Sequence, residues 1–241
     1  MRATPEQTFM NNWPEALWNL TFPGHKAIEV PAPTVRALVA RADGDAEGEE
    51  LLTVLKKRLE VEMENRPWFI RLNSRSPKDY ENPPITMDPQ EAIDFLALSL
   101  RTVNDLEKMM IDGTPCVIYL RPPVSMEPGT EFRCFVKDEK LIAISQYDGA
   151  LSRFPEEKKD HIISTLSAYA PRVIDAFPYS DFVFDVFFIE RENPCLIEVN
   201  PYGLSNPCFF WTYEAVEQGG YAYAAQNIVP ITTTSKDQEA A

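Results

Sequence analysis

Histidine, glycine and positive charge are all scarce in this 241-residue chain, and each shortage removes a class of function. There are two histidines, His25 and His161, and four cysteines, Cys116, Cys134, Cys195 and Cys208, with no C-x-x-C among them. Zinc needs such ligands clustered, so no zinc site is expected. Three of the cysteines lie in apolar, strand-like stretches, and the set reads as buried free thiols in a reducing compartment. The nine glycines form neither G-x-x-x-x-G-K-S/T nor G-x-G-x-x-G, which excludes P-loop and Rossmann phosphate sites. Lys and Arg total 23 against 37 Asp and Glu, a net charge of −14 with a pI near 4.6. Such a surface repels polyanions at long range, so neither nucleic acid nor an anionic membrane is an expected partner, although a local basic pocket can still take an anion. No apolar run approaches the roughly 20 residues that span a bilayer. Residues 1–11 lack the basic and then apolar pattern of a secretory signal, so a cytoplasmic setting is expected.

What remains is the composition of an ordinary globule, 44% hydrophobic and 25% charged. The first 65 residues read as mainly helical. Trp13-Pro14-Glu15 opens a short helix, 26–30 reads as a strand, 41–50 as an acidic loop, and 51–61 carries a helical stripe in Leu51, Leu52, Leu55 and Leu59. Residues 68–72 form a strand that runs into a polar loop at 73–79. Asp88-Pro89-Gln90-Glu91 combines an N-cap, Pro at the first helical position and Glu at the third, and helical spacing then continues to Met110 with a break near Ser99. Residues 116–120 form a strand, and 132–136 and 141–145 form a hairpin about Lys137-Asp138-Glu139-Lys140. Pro155-Glu156-Glu157 opens a long helix with apolar positions Ile162, Leu166, Ala170 and Val173, and two strands follow at 182–189 and 195–199. This order predicts an α+β fold with largely antiparallel sheets. The expected organisation is 1–65 as the helical part of a first lobe, 66–120 as the rest of that lobe, 121–230 as a second lobe, and 231–241 as a disordered tail.

The last two strands carry the strongest chemical signal. Side chains alternate along a strand, so Glu198 and Asn200 share a face. A hairpin turning near Arg191-Glu192 brings Asp185 opposite Glu198, and a slip of two brings it opposite Asn200. Either register gathers Asp185, Glu198 and Asn200 on one face amid Phe and Val. Clustered carboxylates in apolar surroundings require a compensating cation or a proton. Oxygen ligands without His or Cys favour Mg²⁺, with Mn²⁺ as the alternative. The competing reading pairs Asp185 and Glu198 with nearby Arg or Lys on a solvated face.

A second group is basic: Arg71 on a strand, Arg75 and Lys78 in the loop after it, and Arg133 between Phe132 and Cys134. Interior arginines demand anionic partners, either a polyphosphate or local acids such as Glu131 and Asp79.

In order along the chain stand Leu72-Asn73 with Pro77-Lys78-Asp79, Leu120-Arg121, Pro128-Gly129-Thr130-Glu131-Phe132-Arg133-Cys134-Phe135-Val136-Lys137, Ile144-Ser145-Gln146, Phe182-Val183-Phe184-Asp185 and Glu198-Val199-Asn200-Pro201. Together they resemble the cell division cycle 123 family of ATP-grasp proteins over residues 67–203. The chain reads as a divergent, short member of prokaryotic or phage origin. The resemblance implies an ATP-grasp fold, two lobes sandwiching Mg-ATP. By position, Asp185, Glu198 and Asn200 would be the magnesium ligands. Arg71, Ser74, Ser76, Lys78 and Arg133 would lie by the phosphates, with Arg71 and Arg133 catalytic, and Tyr119 and Leu120 would offer backbone groups to adenine. The sequence departs from the family pattern at Arg71, where Lys is usual, at Ser74 in place of Trp, at Glu198 in place of Asp, and at Tyr147 in place of Arg.

Two functions follow. The first is an ATP-dependent carboxylate–amine ligase working through an acylphosphate. The alternative is a non-catalytic, ATP-binding assembly chaperone of a translation factor or other protein, as in eukaryotic family members. Trp13, Trp18 and Trp211 suit a protein or peptide partner, though core packing would use them equally well. Alanine at Asp185 or Asn200 is expected to abolish Mg-ATP binding while the fold is kept.

Overall fold

The computed structural model describes residues 1–126, 129–147, 158–189 and 193–223. The helix opening at 155–157, the turn at 191–192 and the tail at 231–241 fall outside them. The chain divides into two compact units, one of residues 9–12 and 22–125, the other of 1–8, 13–21 and 126–241.

The first unit is a four-stranded antiparallel sheet, ordered β1 (Lys26–Val30), β4 (Cys116–Arg121), β2 (Trp68–Leu72), β3 (Ile85–Thr86). Helices α2 (Ala32–Ala42), α3 (Glu49–Met63), α4 (Pro89–Leu98) and α5 (Leu100–Asp112) belong to the same unit. The α3 stripe buries Leu52, Leu55, Leu59 and Met63, which share one core with Trp68, Ile70 and Leu120 of the sheet. Trp68 satisfies its indole by donating Nε1–H to the Met63 carbonyl at 2.8 Å. The expected break falls at Ser99, which caps α5 by accepting from Thr102 N, while Asp88 caps α4 by accepting from Gln90 N. The acidic loop is shorter than expected, because α2 runs to Ala42 and α3 starts at Glu49. Arg41 of α2 is held by Asp94 of α4 at 2.7 Å, which keeps that last turn helical.

The second unit is a five-stranded sheet, ordered β8 (Asn193–Pro201), β7 (Phe182–Ile189), β5 (Glu131–Lys137), β6 (Lys140–Gln146), β9 (Gly220–Ala222). All pairs are antiparallel except β6 with β9. The expected hairpin is β5–β6, and its turn residues Asp138 and Glu139 both have positive φ, 51° and 60°. Neither is glycine. Hydrogen bonds from Asp138 N to Asp181 Oδ1 (3.0 Å) and from Glu139 N to Ser180 O (2.9 Å) hold the turn instead. Helix α6 (Lys159–Ala176) buries Ile162, Leu166, Ala170 and Val173, and Phe177 at its end meets Phe182 of β7 edge-on at 4.9 Å. The short helices α1 (Glu15–Trp18) and α7 (Tyr213–Glu217) complete the unit.

Residues 1–8 and 13–21 therefore belong with the C-terminal sheet, where the sequence placed all of 1–65 in the first lobe. The cause is backbone pairing: Ala3 N donates to Asp181 O (3.1 Å), Leu196 N to Leu20 O (2.9 Å), and Thr21 Oγ1 to Leu196 O (2.7 Å). The boundary also lies later, after Ser125, because β4 runs through Arg121. All four cysteines are free, three buried and Cys208 half-buried. Among the described residues no helix is long and apolar enough to cross a membrane. Trp13 is buried, as core packing requires, but Trp211 is 79% exposed.

Gly48 and Gly44 both have left-handed backbone, φ +80° and +76°, but a Cβ on Gly48 would stand 2.7 Å from the Ala37 Cβ, whereas nothing lies within 4 Å of one on Gly44. Alanine at either site carries the left-handed strain, and only Gly48→Ala adds overpacking of α3 on α2, worth about 1–3 kcal/mol. Urea denaturation is expected to show Gly48→Ala less stable than Gly44→Ala by about that amount, and equal midpoints would contradict the packing.

Candidate metal and nucleotide site

Three ionisable side chains stand in one row across the second sheet. Arg133 of β5 is directly opposite Asp185 of β7, which is directly opposite Glu198 of β8. The first of the two expected registers is the one present. One residue farther along, Val186 pairs with Leu196, so Ile197 is a bulge beside the row. Such an insertion re-aims neighbouring side chains and sharpens the local twist. Asn200 lies opposite Val183, on the same face, and reaches back to both carboxylates.

Arg133 grips Asp185 with two parallel bonds, Nε to Oδ1 at 2.8 Å and Nη2 to Oδ2 at 2.7 Å. Its Nη1 donates to the Asn206 carbonyl at 2.9 Å, and its guanidinium lies 4.7 Å from the centre of the Tyr147 ring. The Arg133 side chain is 4% exposed and that of Asp185 is 0%. The competing reading is thus half right: Asp185 does pair with an arginine, but in the interior rather than on a solvated face. Arg133 takes Asp185 rather than Glu131 or Asp79, and Asp79 instead accepts from the Ser99 hydroxyl and Arg101 N.

The row brings one guanidinium and two carboxylates together across three adjacent strands. Burial raises the Asp185 carboxyl to about 6, with Glu198 adding to the rise and Arg133 opposing it. Burial likewise lifts the Tyr147 hydroxyl above its ordinary range and the Cys208 thiol to about 12. Asn200 Nδ2 donates to Asp185 Oδ2 (3.0 Å) and Glu198 Oε1 (3.3 Å), bridging the two acids. The donor set is one that fits a hard divalent cation: two carboxylates share a face with one amide side chain, with no imidazole or thiolate among them. Asp185 keeps acceptor capacity beyond its three donors, and turning the Asn200 amide over would present Oδ1 in place of the bridging N–H. Among the described residues there is no group of three His, Cys, Asp or Glu suited to a metal.

The remaining expected residues lie in the first unit. Arg71 is buried on β2, opposite Tyr119 of β4, and donates Nε to the Leu72 carbonyl (3.1 Å) and Nη2 to the Ser74 carbonyl (3.3 Å). It thus clasps the start of the polar loop. In that loop Ser76 is buried, Ser74 and Lys78 are half-buried, and the Ser74 hydroxyl is enclosed without a hydrogen-bond partner. Arg75 is turned to Asp105 at 2.7 Å. Tyr119 and Leu120 sit in a strand paired on both edges, and Leu120 is wholly buried in the core. Sequence reasoning missed Asn206, which acts through its carbonyl and so leaves no side-chain signal.

The family model D123 matches residues 90–240, a stretch that includes the whole row. The translation initiation factor eIF2 assembly protein of Dictyostelium discoideum is 33% identical over 103 residues, 42% of this chain and 27% of that protein. Its namesake in Danio rerio is 36% identical over 104 residues, 42% of this chain and 30% of that protein. The chain thus matches about a third or less of these relatives' length. The solved structure of Cdc123 from Schizosaccharomyces pombe superposes with a TM-score of 0.75 at 24% identity, covering 95% of this chain and 97% of that one, and shows the shared fold.

Two outcomes follow. Asp185→Ala leaves a guanidinium buried without its counter-charge, a loss of about 3–5 kcal/mol, whereas Asn200→Ala removes bonds of a half-buried amide worth about 1 kcal/mol. Asp185→Ala is therefore expected to lower the urea midpoint sharply, contrary to the expectation that its fold is kept, while Asn200→Ala stays near the parent; an Asp185→Ala protein of parental stability would contradict the buried pair. The second concerns pH. The Asp185 carboxyl titrates above its unfolded value of about 3.8, at about 6, so the folded chain takes up that proton first and a cation must displace it as pH falls. Mn²⁺ affinity, read by calorimetry, is expected to hold above about pH 6 and to drop roughly tenfold per unit below it; a flat profile down to pH 5 would contradict the assignment.

Proposed function

This chain belongs to the D123 family, and from that premise we propose that it binds Mg-ATP at the Asp185–Glu198–Asn200 face and uses the bound nucleotide to shape a surface for a protein partner, as an assembly factor rather than a ligase. The observation that carries the reading is the row Arg133–Asp185–Glu198 with Asn200 beside it, standing inside the stretch that matches the family. Relatives 33% and 36% identical over about a hundred residues are named translation initiation factor eIF2 assembly proteins. Asp185, Glu198 and Asn200 would hold Mg²⁺, or Mn²⁺ in its place. The ion supplies charge neutralisation for the phosphates. A cytoplasmic setting belongs to this reading and agrees with four free cysteines.

The ligase reading asks Arg71 and Arg133 to face charge developing on a transferred phosphoryl group. Arg133 spends three N–H groups on Asp185 and Asn206, and Arg71 spends two on the Leu72 and Ser74 carbonyls. Both guanidiniums work first as parts of the protein's own framework. That favours binding over turnover.

With ATP at about 100 times its dissociation constant, binding adds about 2.7 kcal/mol of stability, or several degrees in a chain of this size. Thermal unfolding is expected to show that rise with Mg-ATP, to lose it in EDTA, and to lose it in Glu198→Ala and Asn200→Ala. Little ADP should form in the same samples. ADP released in step with a condensed product from a carboxylic acid and an amine would restore the ligase, and no Mg-dependent rise at all would overturn the site.

A further inference from the structure

The segment 202–212 after β8 is tied to the row at one end and strained at the other. Asn206 gives its carbonyl to Arg133 Nη1 (2.9 Å), and its Oδ1 accepts from Cys208 N (2.9 Å). Phe209 N donates to Ser145 Oγ (3.1 Å), and Phe210 is buried edge-on to Phe135 at 5.9 Å. Between these anchors, Cys208 and Trp211 take left-handed backbone at φ 55° and 67°. Side chains of this bulk rarely adopt that region, and such residues persist only where the surroundings over-determine them. Trp211 gains nothing from the strain by packing, since it is 79% exposed, and Leu204 in the same segment is 73% exposed. The guanidinium of Arg133 thus touches both Asp185 and this segment.

We propose that Arg133 is a positioning residue that couples the triad to the 202–212 segment, so that a divalent cation with its nucleotide, by competing for the Asp185 oxygens, draws Arg133 off the Asn206 carbonyl and releases the segment. The inference rests on the functional reading above and adds to it the element that the nucleotide would reshape. The physical basis is the shared fork. Nε and Nη2 point along the Asp185 carboxylate while Nη1 points at Asn206, and one planar group cannot keep all three bonds once the carboxylate turns to a cation. A segment holding two strained residues then loses one of the anchors that impose the strain.

Cys208 makes the state of the segment readable, since it is half-buried while the other three thiols are buried. The full chain is treated with N-ethylmaleimide, with and without Mg-ATP, and alkylation of each cysteine is followed by peptide mass spectrometry. Calorimetry on the same samples reports whether Mg-ATP is bound. Cys208 is expected to react at least about fivefold faster in the bound state, the low end of typical coupling between sites. Arg133→Lys keeps the charge but cannot hold both partners, so its Cys208 rate should no longer respond to Mg-ATP. Asn206→Ala removes the cap on Cys208 N without touching the triad and should make Cys208 fast in the absence of nucleotide. The parent chain with and without Mg-ATP stands as the test if Arg133→Lys does not fold. Absence of Mg-ATP binding by calorimetry overturns the functional reading. Binding with an unchanged or slower Cys208 rate overturns the coupling alone.

Discussion

A guanidinium and a carboxylate buried side by side in the middle of a β-sheet govern the C-terminal unit. Arg133 and Asp185 occupy facing positions on β5 and β7, where residues 182–188 are all buried. Removing either charge from water costs several kcal/mol, and attraction returns that cost only when geometry is good and the remaining valences are met. Both conditions hold: the contact is two-pronged, the third N–H of Arg133 finds the Asn206 carbonyl, and Asn200 supplies a further donor to Asp185. The pair fixes where β5, β7 and the 202–212 segment stand relative to one another. Glu198 stands as the second carboxylate of the same face.

The first unit uses its interior cation in another way. Arg71 is as buried as Arg133, yet its resolved bonds go to main-chain carbonyls at Leu72 and Ser74. Those two bonds hold the guanidinium against the start of the loop at 73–79, which also carries Arg75 and Lys78, so that basic side chains gather locally in a chain of net charge −14.

Much of this was legible because it depends on periodicity alone. The shared face of Asp185, Glu198 and Asn200 follows from two-residue alternation, which no register slip of two can undo. The break at Ser99 was visible because a capping residue interrupts an otherwise continuous apolar stripe. The rest was hidden for identifiable reasons. The bulge at Ile197 arises from the pairing of two strands and has no glycine to mark it. The turn at Asp138-Glu139 lacks the usual Asn-Gly because hydrogen bonds from distant residues 180 and 181 supply its stability. Assignment of residues 13–21 to the C-terminal sheet rests on backbone pairing with Leu196, some 175 residues away, and backbone groups are the same in every residue. Arg133 could be read as needing an acid, but which acid was a matter of long-range topology.

The site's character follows from how completely the protein's own donors satisfy it. A structural metal site leaves its ligands unsatisfied in the empty state, so that folding and metal binding become one event. Here Arg133 and the Asn200 amide already occupy the carboxylate oxygens that a cation would use. The fold stands on these bonds alone, and a cation taken up as proposed would have to displace protein donors to enter. Its affinity would then lie below what the bare ligands would give, and the displacement would fall on Arg133 and Asn200, the two residues that join the carboxylates to the structure around them.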